Sequence, residues 1–567
     1  MITLGINNMH DASAVIVIDG KVIAAAEEER FTRVKHTRGF PKHAIAFCLD
    51  YAGIQITDVD LICAAWKPWV MRVRITQAVK SVLKSPALFM AKAARGAGQM
   101  KGEWSELFRL RSLFEEHFGK GKYEIEFVDH HLSHAASAFL CAPFDRAAIL
   151  TIDGAGEAET TVSWLGEGNG IKKLNAISLP HSLGQFYSAV TGFLGFKIQS
   201  DEYKVMGLAA YGEPVYADYL RKHAIKLLPE GRYEVDPYFI DYHLARKGVF
   251  RKTTTDIFGQ PRTDETVNKQ HADIAASAQA IIEESIFHIA NHLYEKTKAE
   301  KLCLAGGVAF NCVVNGKLFK NTPFKEIFVQ PAAGDSGSAL GAALYGEMKH
   351  TARQRAYIMK SAYLGPSFSA AECETALKEM NIPYEKLSAD LLLKKTAGEL
   401  ANGKLVCWFQ GRMEWGPRAL GARSLIADPR RAEMQEVINE KVKQRENFRP
   451  FAPSILSEHA HEIFEYYHDS PYMIFTFPVK KEYADKIPAV VHVDRTARPQ
   501  AVYKDANPRY WGLINEFYKI TDIPLILNTS FNVQEPVVCT PKDAINTFLK
   551  TKVDYLVIED FMASLPK

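Results

Sequence analysis

The chain has 567 residues, of which 47% are hydrophobic and 24% are charged, as in ordinary soluble globular proteins. This length exceeds what one hydrophobic core fills, so we expect two large domains. A net charge of +3 gives no reason to expect a nucleic-acid partner. Eight scattered cysteines without a CxxC pair argue against zinc fingers and disulfide frameworks and fit a reduced cytoplasm. We expect a cytoplasmic protein without a signal peptide or a membrane span.

Short apolar segments open the chain and predict strands at residues 2–6, 14–18 and 22–26. Asp19 and Gly20 form a two-residue hairpin turn between the last two. A helix over residues 41–52 and a strand over 61–66 follow. This order of three strands, a helix and a strand is that of an actin-like, Hsp70-like nucleotide-binding fold.

Residues 69–119 are basic, have helical periodicity and lack strand patterns, which predicts a helical insertion. It is either a solvated cap or a lid over an acceptor pocket. A nucleic-acid surface is poorly supported because the segment has few aromatic side chains for base stacking.

Two histidines and two aspartates form a candidate metal site. His130 and His134 are four residues apart and would share one face of a helix. Asp153 and Asp335 each lie in a glycine-rich turn, and two imidazoles with two carboxylates can bind one divalent metal. The alternative is a helix with surface histidines and two ordinary turn aspartates. His131 stands where a zincin helix has glutamate, so a metalloprotease is not expected.

Several glycine-rich turns indicate a nucleotide site. Gly306 and Gly307 follow an apolar segment, where backbone N–H groups can bind phosphate. Residues 200–208 are interpreted as nucleotide-contacting, or else as a surface turn. In the tight loop over residues 7–13, His10 is a candidate base, or else an ordinary loop histidine.

Residues 27–36 form a mixed-charge segment that follows the third predicted strand. Most of it is expected to be a solvated face. Three of its side chains are nevertheless candidates to reach the cleft, namely Arg30, Lys35 and His36.

The second half changes character after a linker at residues 362–369, where residues 370–380 predict a new helix. Arginines then cluster among glycines, prolines and aromatics. Like charges do not converge in a core without an anion to compensate them, so this region predicts a phosphate-binding cleft. The alternative is a set of separate surface arginines.

Short motifs along the chain carry a family resemblance, namely HDASA, EEERFTR, DHHLSHAASAF, TIDGAGE, EYKVMGLAAYG, GGVAFNC, GDSGSALGAA, GPRALGARS, FRPFAP and LNTSFN. Together they resemble the O-carbamoyltransferases of the TobZ/NodU/CmcH type over essentially the whole chain. The resemblance implies an α/β fold with an N-terminal actin-like (ASKHA, TsaD-like) domain and a YrdC-like twisted α/β domain, a pair that HypF shares. We expect the first domain at residues 1–360, the linker at 361–369 and the second domain at 370–567.

The resemblance implies that the second domain makes carbamoyl adenylate from carbamoyl phosphate and Mg-ATP. The first domain then transfers the carbamoyl group to a hydroxyl with the help of a divalent metal, iron(II) in the family. His10 and Asp11 are the candidate catalytic residues. The implied metal ligands are His130, His134, Asp153 and Asp335. The implied adenylate contacts are Glu202, Lys204, Gly306, Gly307 and Asn311. The implied contacts to carbamoyl phosphate and ATP are Arg418, Arg423, Lys443, Arg449, Arg498, Asn528 and Ser530.

The expected acceptor is a small natural-product or sugar-like molecule, selected by residues 69–119 and 233–261. We expect no nucleic-acid or membrane partner, and a monomer or homodimer. Two other functions remain open. A tRNA threonylcarbamoyl-transfer enzyme would need an RNA-binding surface. A non-catalytic module of the Hsp70 or actin kind would need neither the histidine pair nor the arginines.

Overall fold

The computed structural model describes residues 1–70, 102–264, 266–351, 353–355 and 357–566. Most of the predicted basic insertion lies outside these ranges, and its described end forms helices Glu103–Phe108 and Leu110–Phe118. The chain divides into a first unit, Met1–Glu28 with His36–Met359, and a second unit, Glu29–Lys35 with Lys360–Lys567. The assignment of residues 29–35 differs from the boundaries expected from sequence. Among the described helices none is long and apolar enough to cross a membrane.

The first sheet of the first unit has the strand order β3-β2-β1-β4-β5. β1, β2 and β3 are antiparallel neighbours, whereas β4 and β5 run parallel to β1. Nearly every residue of β1 and β2 is buried, as their apolar sequences require. The predicted strands are therefore confirmed within a residue or two at Ile2–Asn7 (β1), Ser13–Ile18 (β2), Lys21–Glu27 (β3) and Leu61–Ala64 (β4), and β5 is Glu124–Phe127.

The second sheet repeats this arrangement in the order β8-β7-β6-β11-β12. Its first three strands are antiparallel, and β11 and β12 are parallel to β6. Two sheets of one topology give the first unit the duplicated core of actin-like folds. The strands are Arg146–Ile152 (β6), Glu159–Glu167 (β7), Gly170–Ser178 (β8), Lys301–Ala305 (β11) and Glu326–Val329 (β12), with a separate ribbon of Ile225–Leu228 (β9) and Arg232–Val235 (β10).

Helix Asp335–Thr351 packs closely against β1 and helix His130–Phe139 because its residues at these contacts are small. A Cβ on Gly341 would lie 1.7 Å from the Ser133 carbonyl oxygen, and one on Gly5 of β1 would lie 2.0 Å from the Ala339 carbonyl oxygen. This close approach brings the start of the helix toward helix His130–Phe139. The other helices of this unit are Lys42–Ala52, Leu183–Phe193, Glu202–Ala209, Ala217–His223, Tyr242–Ala245, Lys252–Phe258, Lys269–Thr297 and Cys312–Asn321.

A short 3-10 turn separates the double glycine from the next helix. Residues Gly307–Phe310 form this turn, and the α-helix begins at Cys312. The reason is the cap. The Asn311 side chain accepts a hydrogen bond from the Val314 N–H, which fixes the first turn of the helix there.

The second unit contains an eight-stranded mixed sheet of order β13-β22-β21-β14-β15-β20-β16-β19, with a small ribbon of β17 and β18. The strands are Tyr384–Lys386 (β13), Val406–Phe409 (β14), Arg423–Ala427 (β15), Ala452–Leu456 (β16), Phe477–Pro478 (β17), Thr496–Ala497 (β18), Gln500–Val502 (β19), Leu525–Ser530 (β20), Tyr555–Ile558 (β21) and Phe561–Ser564 (β22). The helices are Glu29–Thr32, Ala370–Glu379, Ala389–Ala401, Glu433–Val437, Ala460–Ile463, Lys481–Ala484, Pro508–Thr521 and Pro541–Thr551, with a π-helix at Ile438–Lys443.

Candidate functional site

The helix predicted to carry His130 and His134 begins directly after its N-cap residue, Asp129. Asp129 follows β5 and accepts a hydrogen bond from the Leu132 N–H, so the helix starts at His130. His130 and His134 are fully buried, and their Nε2 atoms lie 3.0 Å apart. Helical spacing thus places both imidazoles on one face, as the sequence predicted.

Both aspartates converge on this pair. Asp153 Oδ2 lies 3.2 Å from His130 Nε2 and 3.1 Å from His134 Nε2. Asp335 Oδ1 lies 3.6 and 3.7 Å from the same two atoms. Four ligand atoms within 4.8 Å of one another form a candidate metal site. The sequence could name the four residues, but only the packing of the helix that starts at Asp335 brings it to the others.

The donor set fits a divalent cation. Ligands about 2.1 Å from one ion are about 3.0–3.4 Å apart in octahedral or tetrahedral geometry, close to the separations seen here. Burial alone would lower the pKa of His134, but hydrogen bonds to Asp153 and Asp335 raise it to about 9. Although burial opposes ionisation of Asp153, the two histidines hold its pKa well below the ordinary value. Asp153 is therefore ionised, and a bound divalent cation would take the place of the proton on His134.

The cluster is held by the residues around it. The indole of Trp66 stacks on the His130 ring with centroids 4.0 Å apart. The Glu157 carboxylate accepts a hydrogen bond from the His130 backbone N–H. The Ser182 hydroxyl donates to the Gly154 carbonyl at 2.8 Å, beside Asp153. These contacts fix the first histidine and the aspartate turn before any ligand arrives.

The double-glycine turn lies directly against the metal cluster. Gly306 has φ of +91°, and a Cβ there would lie 2.2 Å from the Ile152 carbonyl oxygen. A Cβ on Gly307 would lie 3.2 Å from Asp153 Oδ1. Only glycine permits the approach at Gly306, whose own N–H donates to the Ala333 carbonyl at 2.8 Å. The Gly307 N–H is therefore the donor that the turn can present next to the candidate metal site.

Asn311 is anchored by residues that no sequence motif marks. Its side-chain amide pairs with that of Gln279, at 2.9 and 3.2 Å. Gln279 also accepts from the Tyr187 hydroxyl at 3.0 Å and donates to Glu283 at 2.9 Å. Gln279 occupies the buried face of a long amphipathic helix, where its side chain forms part of no recognisable motif.

Glu202 and Lys204 lie in a separate set of contacts at the start of helix Glu202–Ala209. Glu202 Oε1 accepts from the Ser188 hydroxyl at 2.6 Å and from the Gln199 N–H at 2.7 Å. Lys204 pairs with Asp201 at 3.3 Å. Their role as adenylate contacts stays a prediction, since their described polar contacts are with neighbouring segments of the chain.

His10 and Asp11 form a second cluster together with His36. His10 Nδ1 lies 3.1 Å from Asp11 Oδ2, and His36 Nδ1 lies 2.7 Å from Asp11 Oδ1. The two rings stack at 5.0 Å, and the Ser13 hydroxyl ties this loop to the Ser336 carbonyl beside Asp335. His36 is a candidate to reach the cleft in the sequence analysis, and its contact with Asp11 shows where its ring lies.

The charges of this cluster are coupled. Burial alone would lower the pKa of His10, but the charge and hydrogen bond of Asp11, with a smaller contribution from Asp335, raise it to about 9. Burial opposes ionisation of Asp11, yet His10 and then His36 hold its pKa below the ordinary value. His10 remains 20% exposed and can meet a ligand.

In the second unit, Lys443 lies at the centre of a cationic group. Its ammonium donates to the backbone and side-chain oxygens of Ser530 and Asn532. Burial is the main reason that the pKa of Lys443 is well below its ordinary value, and the charges of Arg445, Arg449 and Lys35 lower it further. Such crowding of cations around a buried lysine marks a place for an anion.

Asn528 joins two further loops to this region. It is buried on β20, two residues before Ser530, and therefore on the same face of the strand. Its amide donates to the Ala419 carbonyl at 3.0 Å and to Gln500 at 3.3 Å. Ala419 follows Arg418, and Gln500 lies two residues after Arg498, so these loops meet at Asn528. Both arginines are half-buried.

Arg423 occupies a different environment from the other predicted anion ligands. It is fully buried, with its guanidinium 3.6 Å from the centre of the Phe409 ring. Its terminal nitrogens donate to the carbonyls of Gln410, Ala422, Pro366 and Gly411. The charges that act on Arg423 include the carboxylates of Glu414 and Glu559, whereas cations surround Lys443. We therefore assign Arg423 to anchoring loops of the second unit and not to anion binding.

Comparisons with known proteins agree with the motifs. Residues 2–344 match the family model described as carbamoyltransferase N-terminus, and residues 397–564 match carbamoyltransferase C-terminus. A protein of Synechocystis described as uncharacterized is 41% identical, over 98% of this chain and 95% of its own length. Nodulation protein NolNO of Sinorhizobium fredii is 40% identical, over 98% of this chain and 79% of its own. Nodulation protein U of Rhizobium tropici is 27% identical, over 93% and 90%.

Proposed function

Because this chain belongs to the carbamoyltransferase family and is therefore a transferase enzyme, we propose that it carries out ATP-dependent O-carbamoylation of a small-molecule hydroxyl. The reaction is divided into two half-reactions, one for each unit. Carbamoyl phosphate, ATP and water give carbamoyl adenylate, pyrophosphate and phosphate. The acceptor hydroxyl oxygen then bonds to the carbamoyl carbon, the bond from that carbon to the AMP phosphate oxygen breaks, and AMP leaves.

Adenylate formation belongs to the second unit, whose sheet we propose to be YrdC-like. The cationic group around Lys443 supports this assignment, because phosphates are the anions that such a group can hold. The proposed contacts to carbamoyl phosphate and ATP are Arg418, Lys443, Arg449, Arg498, Asn528 and Ser530.

Transfer belongs to the first unit. His130, His134, Asp153 and Asp335 would hold a divalent cation, iron(II) by resemblance to the family. A cation there would supply Lewis-acid polarisation of the adenylate oxygens. The Gly307 N–H would donate to the AMP phosphate, with the tight turn at Gly306 making room for it, and Asn311, Glu202 and Lys204 would orient the nucleotide.

His10 would accept the proton of the attacking hydroxyl. Its contact with Asp11 orients the imidazole and stabilises the imidazolium that forms. His36 holds the other oxygen of that carboxylate at 2.7 Å. The three side chains thus give the base a fixed position while leaving His10 partly open to an acceptor.

The observation that carries the proposal is the convergence of two imidazoles and two carboxylates beside the Gly306–Gly307 turn, in a chain with the family's two domains. A nucleotide module of the Hsp70 or actin kind has no use for this cluster. A tRNA-modifying enzyme needs an RNA surface, to which a net charge of +3 gives no support.

The test separates the two half-reactions in the full-length protein. Pyrophosphate release from ATP should depend on carbamoyl phosphate, and mass spectrometry should detect carbamoylated products among candidate polyols and sugars. Arg418→Ala should lose pyrophosphate release yet transfer from supplied carbamoyl adenylate, whereas His130→Ala should do the reverse. His223→Ala, which changes an exposed histidine of the first unit, serves as the control.

Loss of the same half-reaction in both variants would refute the division of labour. ATP hydrolysis indifferent to carbamoyl phosphate would favour a nucleotide-driven module instead. Carbamoyl transfer to tRNA in preference to every small alcohol would favour the RNA-modifying enzyme.

A further inference from the structure

Residues Glu29–Lys35 lie between two elements of the first unit in sequence, β3 and helix Lys42–Ala52, yet they group with the second unit. They contain the short helix Glu29–Thr32. Phe31 packs against a buried cluster of Met413, Val537 and Cys539. The segment is thus a built part of the second unit, not the solvated face that its charges suggested.

Arg30 holds the loop that carries Arg418. It is only 4% exposed, and its Nη2 donates to the Gly416 carbonyl at 3.0 Å. Its Nη1 lies 3.0 Å from the Glu29 carboxylate, which balances the buried charge. Gly416 has φ of +103° and lies two residues before Arg418. The bond from Arg30 therefore fixes the backbone turn that determines the direction of the Arg418 side chain.

Arg33 holds the loop that follows β20. Its Nη1 donates to the Val537 carbonyl at 2.7 Å and its Nη2 to the Pro536 carbonyl at 2.6 Å. Its Nε lies 3.6 Å from Asp543 Oδ1. A planar guanidinium can hold two adjacent carbonyls at once, which an ammonium cannot do with the same geometry.

That second loop shapes the cationic group. Asn532 lies four residues before Pro536, and its side chain donates to the Glu535 carbonyl at 2.6 Å. Its own carbonyl and its side-chain oxygen both accept from Lys443, at 2.8 and 2.9 Å. A shift of the loop held by Arg33 would therefore move two of the oxygens that hold the buried ammonium.

We infer that Arg30 and Arg33 are positioning residues for adenylate formation, because they hold the Arg418 loop and the Asn532 loop on one short segment. The inference rests on the proposed function. The inference extends the proposed function, because it gives residues Glu29–Lys35, which lie early in the sequence, a role in the adenylate-forming second unit. These arginines act through Arg418 and Lys443 and need not touch the substrate themselves.

The experiment uses full-length Arg30→Ala, Arg33→Ala and Arg33→Lys variants. For both alanine variants we expect the KM for carbamoyl phosphate or ATP in pyrophosphate release to rise about tenfold to 100-fold, the range that misplacement by about 1 Å can cause. Arg33→Lys should recover only part of the loss. Transfer from supplied carbamoyl adenylate should stay at the wild-type rate. The matched control is Lys519→Ala, which removes a surface cation of the same unit.

The outcomes separate this inference from the proposed function. If the wild type releases no pyrophosphate with carbamoyl phosphate, the proposed function fails. If the wild type is active and the alanine variants keep its KM, or lose both half-reactions equally, the positioning role is overturned. If an alanine variant does not fold, Arg33→Lys decides: a folded variant with raised KM supports the role, and one with wild-type KM overturns it.

Discussion

The Nε2 atoms of His130 and His134 lie 3.0 Å apart, and both face the same oxygen of Asp153. Two buried imidazole nitrogens this close to each other and to one carboxylate oxygen can share a cation. The cation is either a proton or a metal. A metal could also use Asp335, whose carboxylate oxygen lies 3.6 and 3.7 Å from the two imidazole nitrogens.

Metal removal should therefore destabilise the first unit. A ligand that binds only the folded state stabilises it by RT ln(1 + [L]/Kd), about 2.7 kcal/mol at 100 times Kd. We expect a strong chelator to lower the melting temperature of the wild type and iron(II) or another divalent ion to restore it. In His130→Ala the melting temperature should not respond to the chelator. An identical response in this variant would place the metal elsewhere.

Arg418 and Arg423 belong to one motif but should respond differently to mutation. Arg423→Ala removes the side-chain donor of the Gln410 and Gly411 carbonyls, whereas the carbonyls of Ala422 and Pro366 keep a backbone N–H donor. The loss should cost about 1–3 kcal/mol of unfolding free energy for each carbonyl left unsatisfied. Arg418→Ala should abolish adenylate formation and lower the free energy of unfolding by less than Arg423→Ala, because Arg418 is half-buried whereas Arg423 is fully buried. Denaturant unfolding and pyrophosphate release measure the two effects. Equal destabilisation by both substitutions would contradict the assignment.

Gly306→Ala tests the close approach of the double-glycine turn to β6. A Cβ 2.2 Å from the Ile152 carbonyl oxygen forces the backbone to move, and φ of +91° is unfavourable for alanine. We expect a loss of about 2–3 kcal/mol in unfolding free energy together with loss of nucleotide binding. The control is Gly398→Ala, because Gly398 lies in helix Ala389–Ala401 with open space around its Cα. This control should be neutral or stabilising by about 0.5–1 kcal/mol.

The pH dependence of transfer should follow His10. A pKa raised to about 9 keeps the imidazole protonated at neutral pH, so the fraction able to act as a base increases as the pH rises toward that value. Transfer from carbamoyl adenylate should therefore accelerate from pH 7 to pH 9. Asp11→Asn removes the carboxylate that raises this pKa, so the rise should move to lower pH. A profile that stays at the same pH in Asp11→Asn would exclude His10 as the titrating base.

Local sequence was sufficient where the deciding contacts are local. Alternating and continuous apolar residues gave β1, β2 and β3 nearly to the residue, since burial of both faces fixes their composition. Helical spacing gave the shared face of His130 and His134, and glycine-rich turns marked Asp153 and Asp335. The family motifs supplied the chemistry that these groups would perform.

Only the tertiary structure decided which of these groups meet. Asp335 reaches the histidines because Gly341 lets two helix backbones approach at Ser133, a contact between residues that are far apart in the chain. Arg423 is buried because β15 lies between β14 and β20, whereas Arg418, five residues earlier, stays in a loop. Residues 29–35 look like a solvated charged segment in sequence, yet they belong to the second unit. Composition and periodicity report which side of an element is buried, and they carry no information on which distant segment covers it.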